Sequence, residues 1–252
     1  MNFRYLSLEI NDYRAFEGQS TIEFGPGTTV IVGGCGTGKT TLAEVLLECR
    51  RNGAVRVDYE GDLGSARDKW LPVHIDASSA HTRLLQGVLA EWFGRLFGEE
   101  RDEPVRLINE SLNKHLEKLL PNRFGRAGYQ RVVVDREGRW WLATGERLDR
   151  PGNGVAGSGE VSFGEEVSLW LGMFMAVRDA LAVNLPIVAD SLFGPLDLRN
   201  RKRAWKALTE SGSQLIVLSS EQELAGLPDA KPDYVLEYDP ERGRTRAGKR
   251  AT

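Results

Sequence analysis

The sequence predicts an α/β fold with a mostly parallel central sheet, an antiparallel β subdomain at its N-terminal end and a helical lobe. Three observations predict it. Residues 33–41 form a glycine-rich loop between an apolar strand, Thr28-Thr29-Val30-Ile31-Val32, and an apolar helix opening, Thr41-Leu42-Ala43-Glu44-Val45. Further short apolar runs, at 185–190 and 214–218, are separated by stretches with helical spacing. The opening residues, by contrast, alternate with a period of two, as half-buried strands do.

Residues 3–10 and 20–24 read as two strands joined by a turn over 11–18. Gly25-Pro26-Gly27 turns tightly into the strand that carries the loop, and the helix after the loop is expected to end near Asn52-Gly53. Short strands are expected at 54–60 and 71–75. The stretch 79–98 places Leu, Trp and Phe at helical spacing. Over 104–120, Val105, Leu107, Ile108, Leu112, Leu116, Leu119 and Leu120 make one apolar helical face. A β-hairpin follows over 131–142, then a flexible loop over 150–159 and a long helix over about 164–182. The strand Leu185-Pro186-Ile187-Val188-Ala189-Asp190 ends in an acid. A basic helix over 199–211 and the strand 214–218 come next. Residues 1–240 read as a single domain with a helical, variable insertion at about 54–150. The charged stretch 241–252 reads as a disordered tail.

The apolar fraction of 41% is ample for a packed core, and a net charge of −3 excludes a protein held on nucleic acid by bulk charge. No apolar run approaches the ~18 residues a bilayer span needs. The two cysteines, Cys35 and Cys49, suggest neither a disulfide framework nor a metal site. Together with an N-terminus lacking a signal-peptide core, these features point to a cytoplasmic protein with no membrane partner.

The loop Gly33-Gly34-Cys35-Gly36-Thr37-Gly38-Lys39-Thr40-Thr41 fits G-x-x-x-x-G-K-[ST] at every fixed position. Its glycines let successive N–H groups turn inward around phosphate oxygens, and the helix start adds partial positive charge. Lys39 is expected to reach the β- and γ-phosphates of a nucleoside triphosphate, and the Thr40 hydroxyl to ligate Mg²⁺. Asp190, delivered by a hydrophobic strand to the sheet edge, is the expected second anchor of that ion. Val161-Ser162-Phe163-Gly164-Glu165-Glu166 precedes a long helix, and two readings are open for it. One is an anion-binding corner of hydroxyl, backbone N–H groups and helix dipole. The other is a plain capping box, Ser162 with Glu165.

The order of these motifs, followed by Gly194-Pro195-Leu196-Asp197, resembles the ATP-binding-cassette (ABC) type ATPase heads of the SMC, RecF and RecN group of DNA repair ATPases. The opening Leu6-Ser7-Leu8-Glu9-Ile10-Asn11-Asp12-Tyr13-Arg14-Ala15-Phe16 is similar to that group's first strand and turn. The resemblance covers about 3–48 and 155–225. It implies that Ser162, Gly164 and Glu165 form a signature motif that meets the γ-phosphate held by a second copy, in a head-to-tail, ATP-dependent homodimer. It also implies that Asp197 crosses that interface and that Arg14 lies near the phosphates; a surface arginine in a turn is the other reading of Arg14. The middle of the chain lacks sustained heptads and a C-x-x-C hook, so the resemblance is to a head without coiled-coil arms.

The chain departs from the group at two positions. Ser191 stands where a glutamate usually follows the strand aspartate, and Ser219-Ser220 where the group often has Ser-His. A serine is no base at neutral pH, and a general base is worth roughly 10²–10⁴-fold in rate, so slow hydrolysis is expected. Glu160, Glu165 and Glu166 are candidate carboxylates from a facing subunit, and Gln86 and Gln130 are candidate Mg²⁺ sensors. DNA is a candidate partner through Arg199, Arg201, Lys202, Arg203 and Lys206, or through Arg123, Arg126 and Arg131 beside Phe124 and Tyr129; a solvated surface is the plainer reading of both groups. The resemblance implies work in DNA repair, DNA maintenance or anti-phage defence, with a nuclease or other effector protein. A non-hydrolysing ATP sensor and a transporter ATPase are the alternatives.

Overall fold

The computed structural model describes residues 3–63, 102–122, 131–137, 139–144, 147–149, 162–182 and 184–250. The strand expected at 71–75, the helix at 79–98 and the loop at 150–159 lie outside them. The chain divides into two compact units, one of residues 1–77, 184–194 and 208–252, the other of 78–183 and 195–207.

In the first unit, β1 (Arg4–Asn11) lies between β2 (Gln19–Glu23) and β4 (Val55–Glu60) in an antiparallel sheet. Strict alternation along β1 would bury Tyr5, Ser7 and Glu9. A register shift between Tyr5 and Ser7 moves the inward face by one residue, so that Tyr5, Leu8 and Ile10 are the buried ones. Beyond the end of β2, the peptide groups of Tyr5 need another partner. The buried Gln214 side chain supplies it: its Oε1 accepts from Tyr5 N–H at 2.8 Å, and its Nε2 donates to Tyr5 O and Gly25 O. One amide thus stands in for a missing stretch of strand.

The second sheet of this unit runs in the order β11-β10-β3-β9-β8. Its members are β3 (Thr28–Gly33), β8 (Ile187–Asp190), β9 (Leu215–Ser219), β10 (Tyr234–Asp239) and β11 (Arg244–Lys249). The four strands β10, β3, β9 and β8 are mutually parallel, and β11 pairs antiparallel with β10. β8 and β9 are buried along their whole length, as parallel strands covered on both faces are. The helix α1 (Lys39–Leu47) starts at the end of the glycine-rich loop and buries Leu42, Ala43, Val45 and Leu46.

Residues 244–249 are a strand, where the sequence suggested that 241–252 is a disordered tail. The cause is visible in the alternation. Thr245 is fully buried, while Arg242 and Arg246 pair with Glu17, and Lys249 pairs with Glu23. Of the charges that suggested disorder, Arg244 and Arg246 lie on the outward face of an edge strand, and Lys249 is exposed at its end. β10 was not anticipated either, although Tyr234 and Leu236 alternate inward along it. β11 also fixes the turn after β1: Thr245 N–H donates to Ala15 O, and Glu17 N–H donates to Thr245 O.

In the second unit, α2 (Asp102–Leu119) packs on α3 (Phe163–Leu181). Leu112 and Leu116 of α2 meet α3 at Gly172, where an added Cβ would come within 2.7 Å of Leu116 Cδ2. A three-stranded antiparallel sheet joins them, made of β5 (Arg131–Val134), β6 (Trp140–Thr144) and β7 (Arg147–Asp149). Asn109 and Asn113, one turn apart on α2, each exchange two hydrogen bonds with the peptide groups of β5, at Val134 and Val132. The expected helix at 104–120 and the hairpin at 131–142 are therefore one interlocked element. At the other side of α2, His115 and Ser111 both bond Asp179 of α3. Burial raises the Asp179 carboxyl, but these hydrogen bonds outweigh it and hold the group below its ordinary value.

Replacing Gln214 by Ala strands two peptide groups of Tyr5 and is expected to cost about 2–4 kcal/mol in urea denaturation. A loss under about 0.5 kcal/mol would show that water replaces the amide. Because the folded pKa of Asp179 is depressed, its stabilisation is present above its unfolded pKa of about 3.9 and is lost as pH falls through the folded value. Asp179→Asn is therefore expected to destabilise at pH 7 by less than about 1 kcal/mol, discounted for its exposure, and to lie closer to the parent at about pH 3, below the unfolded pKa. Melting curves at both pH values measure this.

Candidate nucleotide-binding site

The glycine-rich loop leaves the C-terminal end of β3 and closes on the first turn of α1. Gly33 is sterically required, since a Cβ there would lie 2.4 Å from Thr37 Oγ1 and 2.9 Å from Leu236 Cβ. Thr37 in turn donates to Gly34 O at 2.9 Å and pins the loop across its own width. Gly36 and Gly38 are left-handed, at φ 76° and 86°, where other residues are strained. Gly38 has a second reason to be glycine: the Phe16 ring would lie 2.9 Å from its Cβ. Lys39 Nζ donates to Gly33 O at 2.9 Å and Gly34 O at 2.7 Å, so its ammonium is drawn into the loop. Gly38, the N-cap of α1, makes no side-chain cap bond, and the start of α1 carries no acidic residue. Such a helix end favours anions. Cys35 is exposed on the loop.

Three strand ends stand side by side at this edge. Ile31 of β3, Leu218 of β9 and Asp190 of β8 share one row of the sheet. The next row begins Val32–Ser219, and Ser191 N–H continues the ladder to Leu218 O at 2.8 Å. This register brings Asp190, 3% exposed, to the Thr40 hydroxyl, which donates to its Oδ2 at 2.8 Å. Ser191 turns out of the sheet at φ 50°, a conformation that costs a non-glycine residue about 1–2 kcal/mol, and its hydroxyl lies 3.4 Å from Asp190 Oδ1. Beyond β9, Ser220 caps the short helix α5 (Glu221–Leu224) by accepting from Glu223 N–H. Its hydroxyl is thus a cap, whereas the buried Ser219 hydroxyl donates to the Glu223 carboxylate at 2.5 Å. Glu223 escaped the sequence reading; the signal that could have found it is the Ser220-x-x-Glu223 capping pattern just after the strand end.

Among the described residues, no group of three or more His, Cys, Asp and Glu side chains is arranged to hold a metal ion. The Thr40–Asp190 pair fits Mg²⁺ nonetheless. Both are hard oxygen donors meeting at 2.8 Å, and Mg²⁺ beside a nucleotide keeps most of its ligands as water and phosphate.

The second unit holds the other predicted residues. Ser162 caps α3 by accepting from Glu165 N–H, and the Glu165 carboxylate accepts from Ser162 N–H at 3.0 Å, so the capping box is formed. Gly164 lies against the segment ending in Asp197, where its Cβ would lie 3.1 Å from Pro195 O. Asp197 opens α4 (Leu198–Thr209), accepting from Asn200 N–H at 2.8 Å. Phe163, beside the cap, is a large hydrophobic residue left 46% exposed. Back in the first unit, Arg14 stands at φ 51° and pairs with Glu44 on the exposed side of α1. That contact turns its guanidinium to a carboxylate. Gln86, Gln130, Glu160, Arg123, Arg126, Phe124 and Tyr129 lie outside the described residues.

Comparisons with known proteins bear on the fold. A family model described as an AAA domain matches residues 7–49, from β1 to just past α1. A search of curated proteins gave no match. The head of an Smc protein solved with the C-terminal winged-helix domain of ScpA bound aligns over 98% of both chains, with TM-score 0.66 and 15% identity. The SMC head domain of Thermotoga maritima aligns over 99% of this chain and 100% of its own, with TM-score 0.54 and 16% identity. An Smc head with an extended coiled coil, bound to the C-terminal domain of ScpA from Pyrococcus furiosus, aligns over 99% and 97%, with TM-score 0.59 and 13% identity. The chain has the fold of an SMC-type ATPase head, an α/β phosphate-loop fold, as the order of motifs implied.

Substituting Gly33 by Ala is expected to displace Thr37 or Leu236 and to weaken ATP binding at least about tenfold, since the loop amides must converge on phosphate. Calorimetric titration with ATP reads this. Unchanged affinity would contradict the account of the loop.

Proposed function

We propose that the chain is an ATPase that binds Mg²⁺·ATP at the 33–41 loop, hydrolyses it slowly, and dimerises head-to-tail on the nucleotide. The observation that carries this reading is the Thr40–Asp190 bond, which joins the phosphate loop and the strand-terminal acid into one constellation. Lys39 lies in the loop and has only to exchange two carbonyls for phosphate oxygens. The loop amides and α1 bind and orient the triphosphate, which is most of what phosphoryl transfer asks of a protein. Thr40 and Asp190 would hold the ion, Asp190 directly or through water. Mg²⁺, when bound, neutralises charge on the phosphate oxygens.

Dimerisation is supported by the second unit. The Ser162 cap, Gly164 and Asp197 fall on adjoining turns of that unit, and Phe163 is exposed beside them. In a head-to-tail pair this corner of one copy closes over the phosphate loop of the other. The order of motifs supports service in DNA repair, DNA maintenance or anti-phage defence. The ScpA domains bound to two of the structural relatives support a protein partner, for which a nuclease is our candidate. DNA is the candidate ligand of the basic helix α4, on which Arg199, Arg201, Lys202, Arg203 and Lys206 follow Asp197. A second reading, an ATP-gated interaction module that does not hydrolyse, is favoured by Ser191 at the position next to Asp190.

Mass in solution and ATP turnover, with and without duplex DNA, test the proposal. Wild type is expected to dimerise with Mg²⁺·ATP and to turn over slowly, and Lys39→Ala to do neither. Ser162→Arg is expected to stay monomeric yet bind ATP within about threefold of wild type, because it adds bulk at the corner and leaves the loop intact. A dimer persisting in that variant would contradict the head-to-tail assignment, and rapid turnover without any partner would contradict the proposed slow hydrolysis.

A further inference from the structure

The chain carries two Ser-x-x-Glu caps, and they are used differently. At α3 the glutamate folds back on the N-cap peptide, Glu165 on Ser162 N–H, as a capping box does. At α5 the glutamate in the equivalent third position, Glu223, lets its own N–H meet the Ser220 hydroxyl, but its carboxylate accepts from the Ser219 hydroxyl at the end of β9. That hydroxyl belongs to a fully buried residue. The carboxylate is thereby fastened to the sheet edge and withheld from its own helix.

The place where it is fastened matters. Ser219 is paired with Val32, the residue before the glycine-rich loop begins at Gly33. On its other side the ladder continues to Ser191, whose N–H bonds Leu218 O. Neighbouring strands lie about 4.8 Å apart. Ser219 therefore stands one strand spacing from the phosphate-loop strand and one from the residue that occupies the usual place of the catalytic acid. The second oxygen, Glu223 Oε1, faces the loop after Asp190. It is 3.2 Å from where a Cβ on Gly194 would be, and Ser191 O is 3.8 Å from the same point. A side chain at 194 would press on this carboxylate, and glycine leaves its place open.

We infer that Glu223 is the catalytic base of this ATPase, supplied from the end of β9 in place of the acid that Ser191 displaces at the end of β8. The inference rests on the phosphate-loop reading above. In the step, the oxygen of a water forms a bond to the γ-phosphorus. The bond from that phosphorus to the β–γ bridging oxygen breaks, its electron pair leaving with ADP. The proton released by the water passes to the Glu223 carboxylate and from there to solvent. Ser219 donates to the carboxylate throughout and is the positioning residue.

Single-turnover hydrolysis of Mg²⁺·ATP under excess protein, with parallel ATP titrations, tests the assignment on wild type, Glu223→Gln, Glu223→Asp and Lys39→Ala. Glu223→Gln keeps the shape and an acceptor for Ser219 but cannot take a proton, and is expected to lose roughly 10²–10⁴-fold in rate with ATP affinity within about threefold of wild type. Glu223→Asp keeps an acid but withdraws it by more than an ångström, and is expected to lose about 10²-fold, less than the glutamine variant at its greatest loss. Should Glu223→Gln fail to bind ATP, the aspartate variant decides: a retained affinity with a fallen rate supports the assignment, and an unchanged rate overturns it. A Glu223→Gln rate within about threefold of wild type would overturn it outright. So would a wild type that binds ATP but hydrolyses no faster than Lys39→Ala, an outcome that leaves the nucleotide site standing. A wild type that does not bind ATP would instead sink the phosphate-loop reading, and this inference with it.

Discussion

The lateral register of three parallel strands is the constraint on which the site depends. β3 carries the phosphate loop, β8 carries Asp190, and β9 lies between them, holding Ile31, Leu218 and Asp190 in one row. Side chains on adjacent strands point to the same face only when the pairing is in register, and a slip by one residue would turn Asp190 to the opposite side of the sheet. The hydrogen bond from Thr40 to Asp190 is the visible consequence. It links residues distant in sequence through nothing longer than one helix turn and three strand ends. The continuous burial of β8 and β9 leaves their peptide groups no water to bond, so they pair with neighbouring strands.

A second constraint acts on the loop from the opposite side. The end of the chain returns as β10 and β11, and Leu236 of β10, with Thr37 of the loop itself, would collide with any side chain at Gly33. β11 holds the 12–18 turn through Thr245, and that turn delivers Phe16 to Gly38. Both fixed glycines of the motif therefore answer to packing as well as to phosphate. Thr245 is fully buried with an unpartnered hydroxyl, a modest cost accepted where backbone pairing dominates.

These constraints separate what the sequence made legible from what it did not. The glycine-rich loop, its flanking strand and helix, and Asp190 were readable because each is a local pattern with its own chemistry. The α3 cap was readable as two alternatives, and the geometry shows the capping box formed while the corner role rests on a second copy. Glu223 was invisible, because its meaning comes from a hydrogen bond to Ser219 and from the neighbours of β9 in the sheet, neither of which has a spacing signature. β11 was read as a tail because an edge strand wears its charges outward, and charge density in one dimension looks like disorder. Arg14 was placed near phosphate by resemblance, and its contact with Glu44 is a tertiary fact that no local pattern encodes.

The central claim is that the ends of β3 and β8 form one Mg²⁺-dependent triphosphate site through Thr40 and Asp190. Calorimetric titration of ATP with and without Mg²⁺, on wild type and Asp190→Asn, tests it most directly. Wild type is expected to bind at least about tenfold tighter with the ion, and the variant to lose most of that gain while still binding ATP without it, since removing a charged oxygen ligand weakens a hard-cation site. Equal affinity with and without Mg²⁺ in wild type, or an undiminished Mg²⁺ effect in Asp190→Asn, would contradict the account.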